Sequence, residues 1–91
     1  MDQITIEHNP SPMKLEAMYV ESWPVWSKEV STFEWTYERK ETAYILAGEA
    51  VVTPKDGEPV TIRARDLVNF AKGLECTWEI RVPVRKHYLV D

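Results

Sequence analysis

The chain of 91 residues has one cysteine, two histidines and three glycines. A lone Cys76 permits no intrachain disulfide, and a reducing cytoplasm is the simplest compartment for it. No apolar run approaches the roughly 20 residues that span a bilayer. The opening Met1-Asp2-Gln3-Ile4 lacks the basic and apolar regions of a signal peptide. Neither a membrane nor a secretion leader is therefore expected. A basic field is also missing. The formal net charge is −4, and Arg63, Arg65, Lys72, Arg81, Arg85 and Lys86 are interleaved with acidic residues. Phosphate neutralisation needs concentrated positive charge, so nucleic acid is not an expected partner. Low-complexity tracts, linkers and internal repeats are absent. The length fits one domain, 1–91, with a single modest core.

What is abundant is aromatic: four Trp and four Tyr, each able to bury a large area. Gln3–Glu7 alternates apolar and polar residues as a short strand does, and Asn9-Pro10-Ser11-Pro12 ends it. Ser11 is placed as a helix N-cap with Pro12 at the first helical position. The helix then ends near Tyr19, with Met13, Leu15 and Met18 on its inner side. Pro24 holds Trp23 in extended geometry, and Trp23 and Trp26 are expected to bury at a strand entry. Phe33, Trp35 and Tyr37 share one face of a strand. Glu41 opens a long strand in which Ala43, Ile45 and Ala47 share its face, and Gly48 marks a bend. The Asp56-Gly57 turn closes a hairpin onto Val60–Ile62. Asp66–Phe70 and Glu75–Val82 follow as strands, the second with Cys76, Trp78 and Ile80 on one face. Pro83 is expected to break the run before a last strand, Arg85–Val90. Many short strands separated by turns, with one brief helix, predict an all-β sandwich or barrel.

Glu41 and Gly48 stand at the spacing E-x6-G, and Gly73 and Cys76 at G-x2-C. These positions resemble the two motifs of the cupins, G-x5-H-x-H-x3,4-E-x6-G and G-x5-P-x-G-x2-H-x3-N. The chain is similar to small single-domain cupins of the ureidoglycine aminohydrolase type and the ethanolamine-utilisation type. The shared stretches are Trp23-Pro24-Val25-Trp26, Phe33-x-Trp35, Glu41–Leu46, Lys72–Trp78 and Arg85–Tyr88. The resemblance spans Trp23 to Tyr88 and implies an RmlC-like jelly-roll β-barrel with one short N-terminal helix. It also exposes departures. Trp35-Thr36-Tyr37 occupies the H-x-H position, Cys76 the second-motif histidine, and Ile80 the asparagine. Arg65 and Ala71 replace a turn glycine and a proline, and positive φ at arginine is strained.

Of the usual cupin metal set only Glu41 remains, with Cys76, Tyr37 and His87 as weak further donors. A divalent ion needs several converging carboxylate, imidazole or thiolate groups, so no cofactor is expected and a divalent metal is kept as the alternative. Glu41 and Cys76 are the candidate catalytic groups. Cys76 acts as a nucleophile only if Lys86 or His87 lowers its pKa, and otherwise packs as a small hydrophobe. Three functional readings follow. The first is a small-molecule-binding domain, its pocket lined by Trp35, Tyr37, Glu41, Ile45, Cys76 and Trp78. The second is a small enzyme, metal-assisted or not, acting on a nitrogenous or acidic metabolite. The third is an interaction module, forming a homodimer or docking on a protein through an exposed Trp23/Trp26 patch. Ligand identity and turnover are not readable from these residues.

Overall fold

The computed structural model describes residues 3–91; Met1 and Asp2, where the expected domain and the leader reading both begin, lie outside them. Among the described residues seven strands are formed: β1 (Ile4–His8), β2 (Val25–Lys28), β3 (Ser31–Thr36), β4 (Glu41–Pro54), β5 (Val60–Arg63), β6 (Asp66–Phe70) and β7 (Glu75–Val90). One helix, α1 (Pro12–Ala17), precedes a 3₁₀ turn at Val20–Ser22. All pairings are antiparallel, in the order β1-β6-β4-β7-β2, with β3 also on β7 and β5 also on β4. The hydrogen-bonded path does not close on itself. The fold is all-β and of the jelly-roll kind, as the strand pattern predicts.

Two long strands form the spine. β4 and β7 pair along most of their length, from Glu41↔Val90 to Pro54↔Cys76. The first half of β4 takes β6 on its other side and the second half takes β5. β7 likewise takes β3 early and β2 late. The register slips between Ile45 and Ala50, a bulge that bends the ladder and feeds each half into a different wall. Gly48 has φ +95 there. A Cβ on it would stand 2.1 Å from the Pro83 carbonyl oxygen, so only glycine fits this corner.

The bulge corrects two sequence expectations. Ala47 does not share the inner face with Glu41, Ala43 and Ile45; it is exposed, because the slip moves the inner face to Ala50, Val52 and Pro54. Pro83 does not end β7 either. It lies opposite Gly48 where the ladder is already open, so its missing N–H costs no pairing. The cap of α1 forms as expected, Lys14 N–H donating to Ser11 Oγ at 3.1 Å. The helix buries none of its own residues, however, and Met13 is 81% exposed rather than inward. Six residues are too few to hold an inner stripe.

The core gathers Ala43, Ile45, Ala50, Val52, Ile62, Val68, Phe70, Leu74, Trp78, Ile80 and Val84 between the walls. Arg65 takes φ 74, the strained conformation expected where a turn glycine is replaced. Its backbone is held from both sides, N–H to the Ile45 carbonyl at 2.7 Å and carbonyl from the Asn9 N–H at 2.9 Å. Ala71 N–H donates to the Gln3 carbonyl at 2.9 Å. A proline at this position would forfeit that bond.

Candidate functional site

Inner-face alternation carries a cluster of aromatic rings and two charges to one end of the fold. β4 opens with Glu41 pointing inward, next to Ala43 and Ile45. On β7 Cys76, Trp78, Ile80, Val84 and Lys86 face inward, and Val82, of the same parity, is exposed where the register slips. Lys86 sits across the ladder from Ile45, and its flexible stem reaches along the strand to Glu41. Lys86 Nζ donates to Glu41 Oε2 at 2.7 Å, with side chains only 7% and 11% exposed. Such a pair is buried, and each charge depends on the other.

Rings surround the ammonium. Lys86 Nζ lies 4.8 Å from the Trp26 ring centre, 4.9 Å from Trp78 and 5.6 Å from Phe70. These faces carry negative quadrupole charge and hold a cation well once water is excluded. Tyr37 stacks on Phe70 at 4.7 Å between centres, and Phe33 lies parallel to Trp78 at 6.1 Å. Tyr37 is fixed by the turn at Gly73. Gly73 N–H donates to the Tyr37 carbonyl at 2.7 Å, and Tyr37 N–H to the Leu74 carbonyl at 2.8 Å.

The result is a half-open cavity of ≈ 230 Å³ lined by the rings of Trp26, Phe33, Trp35, Tyr37, Trp78 and Tyr88, with Glu41, Lys86 and Val90. Trp35, half exposed, stands on its wall at the solvent side.

Burial sets the protonation states. Desolvation, then the nearby Glu41 and Cys76 charges, push the Tyr37 phenol far above the usual tyrosine range, so it stays protonated. Desolvation pushes the Cys76 thiol up to about 11, against the opposing pull of Lys86 and a hydrogen bond with Trp78. The Lys86 ammonium is drawn down from the usual lysine value by burial, while Glu41 and Cys76 oppose the change.

The expected site residues divide as follows. Trp35, Tyr37, Glu41 and Trp78 converge on the cavity. Ile45 and Cys76 do not line it. Ile45 is wholly buried in the core, and Cys76 is a short side chain whose Sγ lies 3.5 Å from the Trp35 carbonyl. A thiol with so high a pKa is protonated near neutral pH, unlike an activated nucleophile. His87 follows Lys86 and faces the other way, its Nδ1 2.9 Å from the Trp23 carbonyl. Trp23 is buried and Trp26 turns into the cavity, so the two form no exposed patch.

Of the expected donors, Glu41 is paired with an ammonium and His87 lies on the opposite face. Among the described residues no group of three or more His, Cys, Asp or Glu converges. Sequence reasoning named Lys86 only as a neighbour for Cys76. Its shared parity with Trp78, Ile80 and Val84 marks it as inward-facing, a signal masked by its charge.

A bent antiparallel jelly roll with a site glutamate at the start of its central strand is a cupin fold. The family model for the EutQ-like cupin domain matches residues 15–88, and the chain belongs to that family. A DUF861 family protein from Thermotoga maritima is 50% identical, with TM-score 0.94 over 97% of this chain and 99% of its own. A DUF861 family protein of unknown function from Pseudomonas syringae pv. tomato is 26% identical at TM-score 0.66; the match covers 74% of this chain and 29% of that longer one. The EutQ protein of Clostridium difficile, 20% identical at TM-score 0.68, shares the fold over 99% of this chain and 73% of its own. Among curated proteins nothing matches in sequence. No helix of the described residues is long and apolar enough to cross a membrane.

Proposed function

We propose that this domain binds a small polar metabolite in the aromatic cavity, using Lys86 as donor and Glu41 as acceptor. One observation carries the reading: a charged pair forms part of the wall of a ≈ 230 Å³ cavity otherwise built from six rings and Val90. Replacing a buried ion pair with apolar residues is often neutral or stabilising, so folding alone gives little reason to keep one. Recognition does. An apolar wall with a few placed polar groups is the usual composition of a metabolite site. The best-matched ligand is a planar molecule of a few heavy atoms, carrying a carbonyl or carboxylate oxygen for Lys86 and a donor for Glu41. Its flat faces would pack on Trp78 and Tyr37. The lone buried Cys76 supports a cytoplasmic setting, where thiols stay reduced.

The test is calorimetric titration with three probes of similar size: propionate, propionamide and cyclopentane carrying no polar group. Binding of propionate or propionamide, with cyclopentane weaker, is the expected order. Equal binding of all three, or of none at millimolar concentration, contradicts the proposal.

A further inference from the structure

The chain has six lysines, and five of them (Lys14, Lys28, Lys40, Lys55 and Lys72) are exposed. Lys86 alone is buried, its amine on the wall of a cavity and in contact with a carboxylate. We propose that Lys86 Nζ captures a small aldehyde or ketone in this cavity as a reversible iminium, with Glu41 carrying the protons. The proposal rests on the binding reading above and narrows its ligand to carbonyl compounds.

The required groups are in place. Nucleophilic attack needs a neutral amine, and Glu41 Oε2, 2.7 Å away, accepts the proton that Lys86 must lose. Desolvation favours that transfer, because it converts two buried charges into two neutral groups, against the hold of the ring faces on the ammonium. Burial also draws the Lys86 ammonium below its usual range, against the opposing influence of Glu41 from β4 and Cys76 from β7. Tyr37, kept protonated, lines the same cavity and is a further donor for a carbonyl oxygen.

The step balances without any redox partner. The Nζ lone pair forms the C–N bond while the carbonyl π electrons move onto oxygen. That oxygen takes the proton held by Glu41, giving a carbinolamine with a positively charged nitrogen. Glu41 then removes one nitrogen proton and passes it to the hydroxyl. The C–O bond breaks, water leaves and the nitrogen lone pair closes the C=N bond. Overall an ammonium and a carbonyl become an iminium and water, with Glu41 again a carboxylate. The starting ammonium and the product iminium carry the same positive charge, so the Trp26 and Trp78 faces that hold the ammonium at 4.8 and 4.9 Å also hold the product.

The experiment treats the full chain with propionaldehyde and cyanoborohydride at neutral pH and maps the alkylated lysines by peptide mass. The expected result is alkylation of Lys86 several-fold faster than of any other lysine. Glu41→Gln is expected to slow that labelling several-fold and leave the other five lysines unchanged. In Lys86→Arg, which keeps the cation beside Glu41, the fast site should vanish. Even labelling across all six lysines, or a Lys86 that labels last, overturns the proposal. Propionate titration of the same protein reports separately on the binding reading: propionate bound with no preferred Lys86 label sinks the iminium and leaves binding standing.

Discussion

Replacing Lys86 with methionine tests the energetics on which the site depends. Methionine keeps an unbranched stem and a favourable sulfur contact with the surrounding rings, but removes the charge. Glu41, its side chain 11% exposed, is then left as a buried carboxylate without its ammonium. Breaking one side of a buried pair costs about 3–5 kcal/mol, a large share of the stability of a small domain. Urea unfolding of Lys86→Met at pH 7 should show a loss of that size. The double variant Glu41→Leu/Lys86→Met removes both charges and should recover most of the loss, or exceed the parent. A single-variant loss under about 1 kcal/mol, the scale of a surface pair, would mean that water reaches the two side chains.

Three further outcomes follow from the fold. Gly48→Ala places a Cβ 2.1 Å from the Pro83 carbonyl at φ +95, and should cost about 3 kcal/mol or more in denaturant unfolding. Arg65→Gly removes the strain at φ 74 while keeping both backbone hydrogen bonds. The relief of about 1–2 kcal/mol exceeds the added unfolded-state entropy, so the melting temperature should rise by a few degrees. Cys76 loses its proton more readily unfolded, near 9.0, than folded, at about 11. Its contribution is therefore complete below pH 9 and declines as pH rises towards 11. The stability difference between the parent and Cys76→Ala, followed by urea unfolding across that window, should narrow; a constant difference would refute the raised thiol pKa.

The strand layout was legible because alternation and turn residues act locally. Ser11, Gly73 and the Asp56-Gly57 turn do what their chemistry predicts, and the Glu41–Gly48 spacing marks both the site glutamate and the corner. What escaped was produced by pairing between distant segments. The slip that exposes Ala47, and the open ladder that lets β7 pass through Pro83, exist only where β4 meets β7. About half of the cavity lining was readable from local alternation. Trp35, Tyr37, Glu41 and Trp78 follow from strand parity, whereas Lys86 looks like a surface residue until Glu41 and three rings surround it. Cys76 shows the converse. It occupies a motif position that ligates metal in other cupins, yet its thiol is protonated and stands outside the cavity lining.

The central claim, that the ring cavity beside Glu41 and Lys86 is a ligand site, is tested most directly by the indole N–H resonances. Three of the four tryptophans, Trp26, Trp35 and Trp78, line the cavity, and Trp23 is buried outside it, its carbonyl beside His87. Titrating isotope-labelled protein with propionate should shift the first three signals saturably and leave Trp23 in place. In Lys86→Met those shifts should disappear. Shifts at Trp23 instead, or none that saturate with any of the small carboxylates or amides, would contradict the account.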